Sequence, residues 1–74
     1  MRERNVNVTV REVPAGFEAT ADASGYSVIG EDEMQAVRAL AIALAFKPGN
    51  FLIRDLGKAG DGLGWRWAIS GAIR

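Results

Sequence analysis

The chain has 74 residues and an apolar content of 49%, which predicts a single globular domain over residues 1–74. Nine basic and nine acidic side chains cancel, and this balance argues against a nucleic-acid binder that relies on overall charge. The chain contains neither Cys nor His, so disulfides, Cys-based zinc sites and His-dependent triads are excluded, and we expect neither a cofactor nor enzymatic activity.

Three strands are predicted in the first part of the chain. Residues 5–13 alternate between apolar and polar side chains, with three valines on one face, which is typical of a half-buried strand. A tight turn at residues 13–16 joins this strand to a second alternating segment, residues 17–22, so the two segments predict a β-hairpin. A turn cluster at residues 22–25 then precedes a short third strand at residues 26–29.

Residues 31–47 predict a helix of about four turns. Three carboxylates open it, Gly30 is the expected N-cap, and Pro48 is expected to end it because the residue before a proline avoids the helical conformation. The helical period predicts one broad stripe that faces the core. This stripe contains Met34, Val37, Leu40, Ala41, Leu44 and Ala45.

A second, narrower line of side chains runs along the far side of the predicted helix. It contains Gln35, Ala39, Ile42 and Phe46. One interpretation is that Ile42 and Phe46 lie under a loop or a chain terminus, since scattered apolar residues are common on surfaces. The other is that they form a surface for a partner protein or for a second copy in a homodimer.

Two further strands are predicted after the helix, at residues 50–56 and 63–70. The glycine-rich segment between them contains Lys58, but a phosphate-binding loop should open a helix, so this segment predicts an ordinary hairpin loop. Trp65 and Trp67 share one strand face and are expected either in the core or, if exposed, in a platform that stacks on bases or anchors a partner.

The element order β-β-β-α-β-β predicts an α+β fold, in which one helix packs on one face of an antiparallel sheet of about five strands.

Four carboxylates could form a metal site or a general-acid cluster, namely Asp22 and the three that open the predicted helix, Glu31, Asp32 and Glu33. Consecutive helical residues point about 100° apart and cannot all converge on one ion, so no metal site is expected. The carboxylates are expected to stabilise the helix start or to form an acidic patch that meets basic residues of a partner. The predicted partner-binding residues are Asp22, Glu31, Asp32, Glu33, Gln35, Ile42 and Phe46.

Residues 16–20, 24–30 and 31–37 resemble the HicB-type antitoxin domain, which has a strand, a turn, a short strand and an Ala/Leu-rich helix with an acidic start. The resemblance covers roughly residues 5–46. The turn that is usually Asp-Leu-Pro-Gly in that family is here Ala-Ser-Gly-Tyr, at residues 23–26. The resemblance implies an antitoxin domain that binds and neutralises a toxin RNase.

The whole chain also resembles small phage anti-CRISPR proteins that act on type I CRISPR systems. The shared features are the length, the N-terminal hairpin, the Ala-rich helix, and the strand Asn50-Phe51-Leu52-Ile53 after the break at Pro48 and Gly49. This resemblance implies a non-enzymatic inhibitor that binds the CRISPR surveillance complex or its nuclease. Such an inhibitor blocks target DNA recognition or cleavage through surface patches.

A third hypothesis is direct nucleic-acid binding through the polar sheet face around Thr9, Arg11 and Thr20. The N-terminal segment has no apolar core of a signal peptide, and the longest apolar run, residues 39–46, is too short to cross a bilayer. We therefore expect no membrane association and a location in the cytoplasm of the bacterial host.

Overall fold

A computed structural model describes residues 3–60 and 62–74, so that Asp61 of the predicted hairpin loop lies outside the described residues. The elements are β1 (Glu3–Val13), β2 (Gly16–Ala21), β3 (Ser27–Gly30), α1 (Glu33–Ala43), β4 (Phe46–Lys58) and β5 (Trp65–Ile73). All strand pairs are antiparallel, and the strand order in the sheet is β3-β2-β1-β5-β4. The predicted α+β fold, with five strands and one helix, is confirmed.

The central strand β1 defines the two faces of the sheet. Val6, Val8 and Val10 are buried on the face that α1 covers, while Asn5 and Asn7 are exposed on the opposite face, called the open face below. Since side chains alternate along a strand, this pattern follows directly from the sequence. The predicted hairpins are also present, because β1 pairs with β2 and β4 pairs with β5.

The core lies between the sheet and α1. The helix contributes four buried residues, Ala36, Val37, Leu40 and Ala41. Trp67 is only 6% exposed, and Trp65 packs against the core with its ring centroid 6.0 Å from that of Phe17. Both tryptophans therefore support the fold, as the first of the two interpretations predicted.

The start of α1 is at Glu33, and its N-cap is Asp32 rather than the predicted Gly30. A carboxylate oxygen of Asp32 accepts a hydrogen bond from the backbone N–H of Gln35 at 2.8 Å, which satisfies one of the free donors of the first turn. Gly30 is instead the last residue of β3. A Cβ there would lie 2.5 Å from the backbone nitrogen of Ala36, so the glycine allows the helix to pack closely against the strand.

The end of α1 also differs from the prediction. The helix ends at Ala43 and is capped by Leu44, and Ala45 then takes a left-handed conformation with a φ of 71°. This reverses the chain, so β4 begins at Phe46 and Pro48 lies inside an edge strand instead of ending the helix. Because the helix stops early, Ala45 is exposed and does not belong to the core-facing stripe.

Met34 was predicted to face the core, but the residue is 48% exposed. The buried face of α1 is centred on Val37 and Leu40, and Met34 lies at its margin, next to the sheet edge formed by β4. Within the described residues, no helix is long and apolar enough to cross a membrane.

Candidate partner-binding site

A groove of about 560 Å³ runs between α1 and the edge strand β4, and we call it the α1/β4 groove. Its lining residues are Met34, Arg38, Ile42, Pro48, Gly49, Phe51, Leu52 and Ile53. The lining is mostly apolar, and among the described residues no carboxylate contributes to it. Sites that bind other molecules commonly combine such an apolar surface with a few polar groups.

The helix side of the groove is formed by Met34, Arg38 and Ile42. These residues are four positions apart, so they form one line along the helix. Met34 is 48% exposed and Ile42 is 45% exposed. Arg38 is exposed between them, and no hydrogen bond or ion pair holds its guanidinium within the described part of the chain.

The strand side of the groove is formed where β4 departs from regular pairing. Phe46 pairs with Ile73 and Phe51 pairs with Gly71, so four residues of β4, 47–50, face a single residue of β5. Pro48 lies in this irregular segment, where its missing N–H removes no sheet hydrogen bond. The next residues return to regular pairing, and Leu52 on this edge strand is 70% exposed.

The structure separates the predicted line of Gln35, Ile42 and Phe46. Gln35 and Ile42 are exposed on α1, and Ile42 lines the groove while Gln35 does not. Phe46 is the first residue of β4 and is completely buried, with its ring centroid 5.9 Å from that of Phe51. It belongs to the core because the helix ends before it, so the prediction of Phe46 as part of an exposed partner surface is wrong.

The predicted carboxylates do not form one patch. Glu33 accepts a hydrogen bond from the indole N–H of Trp67 at 3.1 Å, on the face of the sheet that α1 covers. Asp22 pairs with Arg66 at 3.0 Å, on the open face. Consecutive residues of a strand point to opposite faces, so the sheet lies between these two carboxylates.

Two of the helix-start carboxylates thus have roles within the fold, since Asp32 caps α1 and Glu33 binds Trp67. Glu31 is exposed. The helix-start interpretation accounts for Asp32 and Glu33, while partner binding through the four carboxylates, Gln35 and Ile42 stays a prediction.

The open face of the sheet carries a shallow polar depression. It is lined by Thr9, Arg11, Glu18, Thr20, Asp22 and Arg66. Asp22 accepts hydrogen bonds from the Thr9 hydroxyl at 2.8 Å and from the Arg66 guanidinium at 3.0 Å. The two arginines of this lining, Arg11 and Arg66, are balanced by the carboxylates Glu18 and Asp22, and nucleic-acid binding through this face stays a prediction.

The sequence interpretation missed Met34, Arg38 and Leu52 as groove residues. The spacing of Met34, Arg38 and Ile42 carried a usable signal, because an arginine between two apolar residues at four-residue intervals is unusual for a core stripe. The sequence around Leu52 contains no comparable signal, since the exposure of Leu52 depends on the position of β4 at the sheet edge. In residues 3–60 and 62–74, no three Asp or Glu side chains converge as metal ligands.

Comparisons of the chain with models of known protein families, with curated proteins and with solved structures find no match. The resemblances to anti-CRISPR proteins and to HicB-type antitoxins therefore stay predictions. The α1/β4 groove combines exposed apolar side chains with an arginine that has no ion-pair partner among the described residues.

Proposed function

We propose that this protein is a non-enzymatic inhibitor that binds another protein through the α1/β4 groove. One observation carries the proposal: apolar side chains that solvent can reach line the same groove from two different elements. Met34 and Ile42 are exposed on α1, and Phe51 and Ile53 are half-buried on the side of β4 that faces α1. Exposed apolar side chains that cluster are typical of protein-binding surfaces, whereas single exposed ones are not.

The groove is suited to binding a partner protein through the burial of apolar side chains. Covering Met34, Ile42 and Phe51 with a partner would remove apolar surface from water, which stabilises a complex by roughly 25 cal/mol for each Å² buried. Arg38 adds a charged contact that helps to select the partner, and arginine is enriched among residues that dominate binding energy. The surrounding polar surface would remain hydrated.

We further propose that the partner is a subunit of a type I CRISPR surveillance complex or its nuclease. The inhibitor would block target DNA recognition or cleavage in the cytoplasm of the bacterial host. The resemblance of the whole chain to small anti-CRISPR proteins supports this assignment. The groove supports the underlying mode of action, because an inhibitor of this class needs a contact surface and no reactive side chain.

The proposal is tested with affinity-tagged protein that is incubated with a lysate containing a type I CRISPR system. We compare the wild-type protein with Ile42→Asp and with the matched control Ala39→Asp. Both positions are exposed on α1, but Ala39 does not line the groove. We expect Ile42→Asp to reduce recovery of the partner at least tenfold and Ala39→Asp to leave it unchanged, with equal thermal stability of the two variants.

Each other outcome has a clear meaning. Recovery of a toxin RNase in place of the surveillance complex would support the HicB-type antitoxin function. Equal loss of binding in Ile42→Asp and Ala39→Asp would place the contact on the exposed side of α1 and outside the groove. Recovery of the same partner by all three proteins would contradict binding through the α1/β4 groove.

A further inference from the structure

We infer that the partner contributes an extended, acidic segment that adds to the edge of β4 as a sixth strand of the sheet. This inference rests on the proposed function and specifies how the α1/β4 groove is occupied. The segment would place alternate side chains in the groove and direct a carboxylate to Arg38. Three observations support it: the position of β4 at the edge of the sheet, the apolar side chains of β4, and the positive charges beside this edge.

The first observation is that β4 is an edge strand. It has 13 residues and pairs with β5 on one side only. Along the regularly paired residues 51–55, every second residue directs its backbone N–H and C=O groups away from β5. These groups offer a template for an added strand. The opposite edge strand, β3, has only four residues and is a poorer template.

The second observation is that β4 presents apolar side chains on both faces of this edge. Phe51 and Ile53 pack against the core on the side of α1 and also line the groove. Leu52 points to the open face and is 70% exposed. An added strand also alternates its side chains between the two faces, so its apolar residues would contact either the groove or Leu52.

The third observation is the charge beside this edge. Four cations are present, namely Arg38 in the groove and Lys47, Arg54 and Lys58 in β4. No ion pair between these cations and a carboxylate occurs in the described part of the chain. The one carboxylate of β4, Asp55, accepts a hydrogen bond from the backbone N–H of Gly57 at 2.8 Å.

This charge identifies the occupant as a segment that carries Asp or Glu. A second copy of the chain, paired through the same edge, would bring the same four cations towards each other, with Asp55 as the one carboxylate of β4 on each side. Like charges across a contact oppose association. Pro48, which has no N–H, restricts the added strand to the part of β4 that follows it.

The inference is tested with a phage-displayed library of random twelve-residue peptides, selected on the immobilised full chain. We expect enriched peptides to alternate apolar residues with Asp or Glu. Their affinity should fall at least tenfold for Arg38→Glu and for Leu52→Asp, and should be unchanged for Arg4→Glu, an exposed arginine outside the groove. It should also fall as the salt concentration rises.

Backbone pairing is tested by amide hydrogen exchange of the protein bound to the strongest peptide. We expect slower exchange at alternate residues of the segment 51–55, and loss of binding when alternate peptide amides are N-methylated. Enrichment of basic peptides, or of none, would overturn the inference. A dimer of the free protein that Leu52→Asp dissociates would also overturn it, because the edge would then be occupied by a second copy.

The two proposals fail in different ways. If partner recovery depends on Ile42 while the amides of residues 51–55 stay unprotected in the complex, the proposed function stands. The inference of strand addition is then wrong, because the groove holds a partner in another conformation, such as a helix. If partner recovery does not depend on Ile42, the proposed function itself is wrong.

Discussion

The indole N–H of Trp67 donates a hydrogen bond to a carboxylate oxygen of Glu33 at 3.1 Å, and this contact links β5 to the first turn of α1. Trp67 is almost completely buried, so its N–H needs a partner within the fold. Glu33 also lies in the first helical turn, where a negative charge is favourable. One carboxylate thus satisfies a buried donor and stabilises the helix start.

Replacing this carboxylate should therefore weaken the fold. We expect Glu33→Ala to reduce the free energy of unfolding by about 1–2 kcal/mol, because the Trp67 N–H loses its acceptor and the helix loses a favourable charge. Urea denaturation followed by circular dichroism measures the change. Glu31→Ala, at an exposed position just before α1, is the matched control and should change the stability by less than about 0.5 kcal/mol. Equal effects of the two substitutions would contradict a structural role for the hydrogen bond.

Phe46 provides the second prediction. Its side chain is fully buried at the start of β4, so Phe46→Ala should cost about 3–5 kcal/mol and leave the domain largely unfolded at 25 °C. Phe46→Leu retains most of the volume and should lower the melting temperature only moderately. Ile42→Ala, at an exposed site, should stay within about 0.5 kcal/mol of the wild type. Thermal denaturation of the three variants separates a core residue from a surface residue.

Much of this fold could be predicted from local patterns. The alternation around Val6, Val8 and Val10 identifies a half-buried strand, because the side-chain period of a strand is two residues. The end of the helix could not be predicted in this way. Ala45 adopts a left-handed conformation without being glycine or asparagine, so the sequence shows no stop signal where the helix ends. The visible stop signal, Pro48, lies in the next strand.

The candidate site was less predictable than the fold. The predicted helix extends almost to Pro48, and this assigns Phe46 to a helix face beside Ile42. In the structure, Phe46 is the first residue of β4 and belongs to the core. The groove itself depends on β4 being at the sheet edge, beyond β5. Strand order is set by contacts between distant segments, and no local pattern around Leu52 contains that information.

Gly30 provides the third prediction, which concerns the contact between β3 and α1. A Cβ at this position would lie 2.5 Å from the backbone nitrogen of Ala36, and backbone atoms cannot move aside as a flexible side chain can. We expect Gly30→Ala to lower the free energy of unfolding by about 2–3 kcal/mol. Gly60→Ala is the matched control, because no atom of the described residues other than its chain neighbours lies within 4 Å of its added Cβ, and it should be close to neutral. Unchanged stability of Gly30→Ala would mean that the helix start does not pack against β3.

Ala45 provides a prediction of the opposite sign. Its φ of 71° is unfavourable for a residue with a Cβ but not for glycine, and its side chain is exposed, so little packing is lost on its removal. We expect Ala45→Gly to raise the free energy of unfolding by about 0.5–1 kcal/mol, once the greater flexibility of the unfolded chain is taken into account. Ala39→Gly, an exposed position inside α1, should instead lower it by about 1 kcal/mol. If both substitutions destabilise the protein equally, the helix continues through Ala45 in solution. Phe46 would then lie on the helix face that the sequence predicts for it.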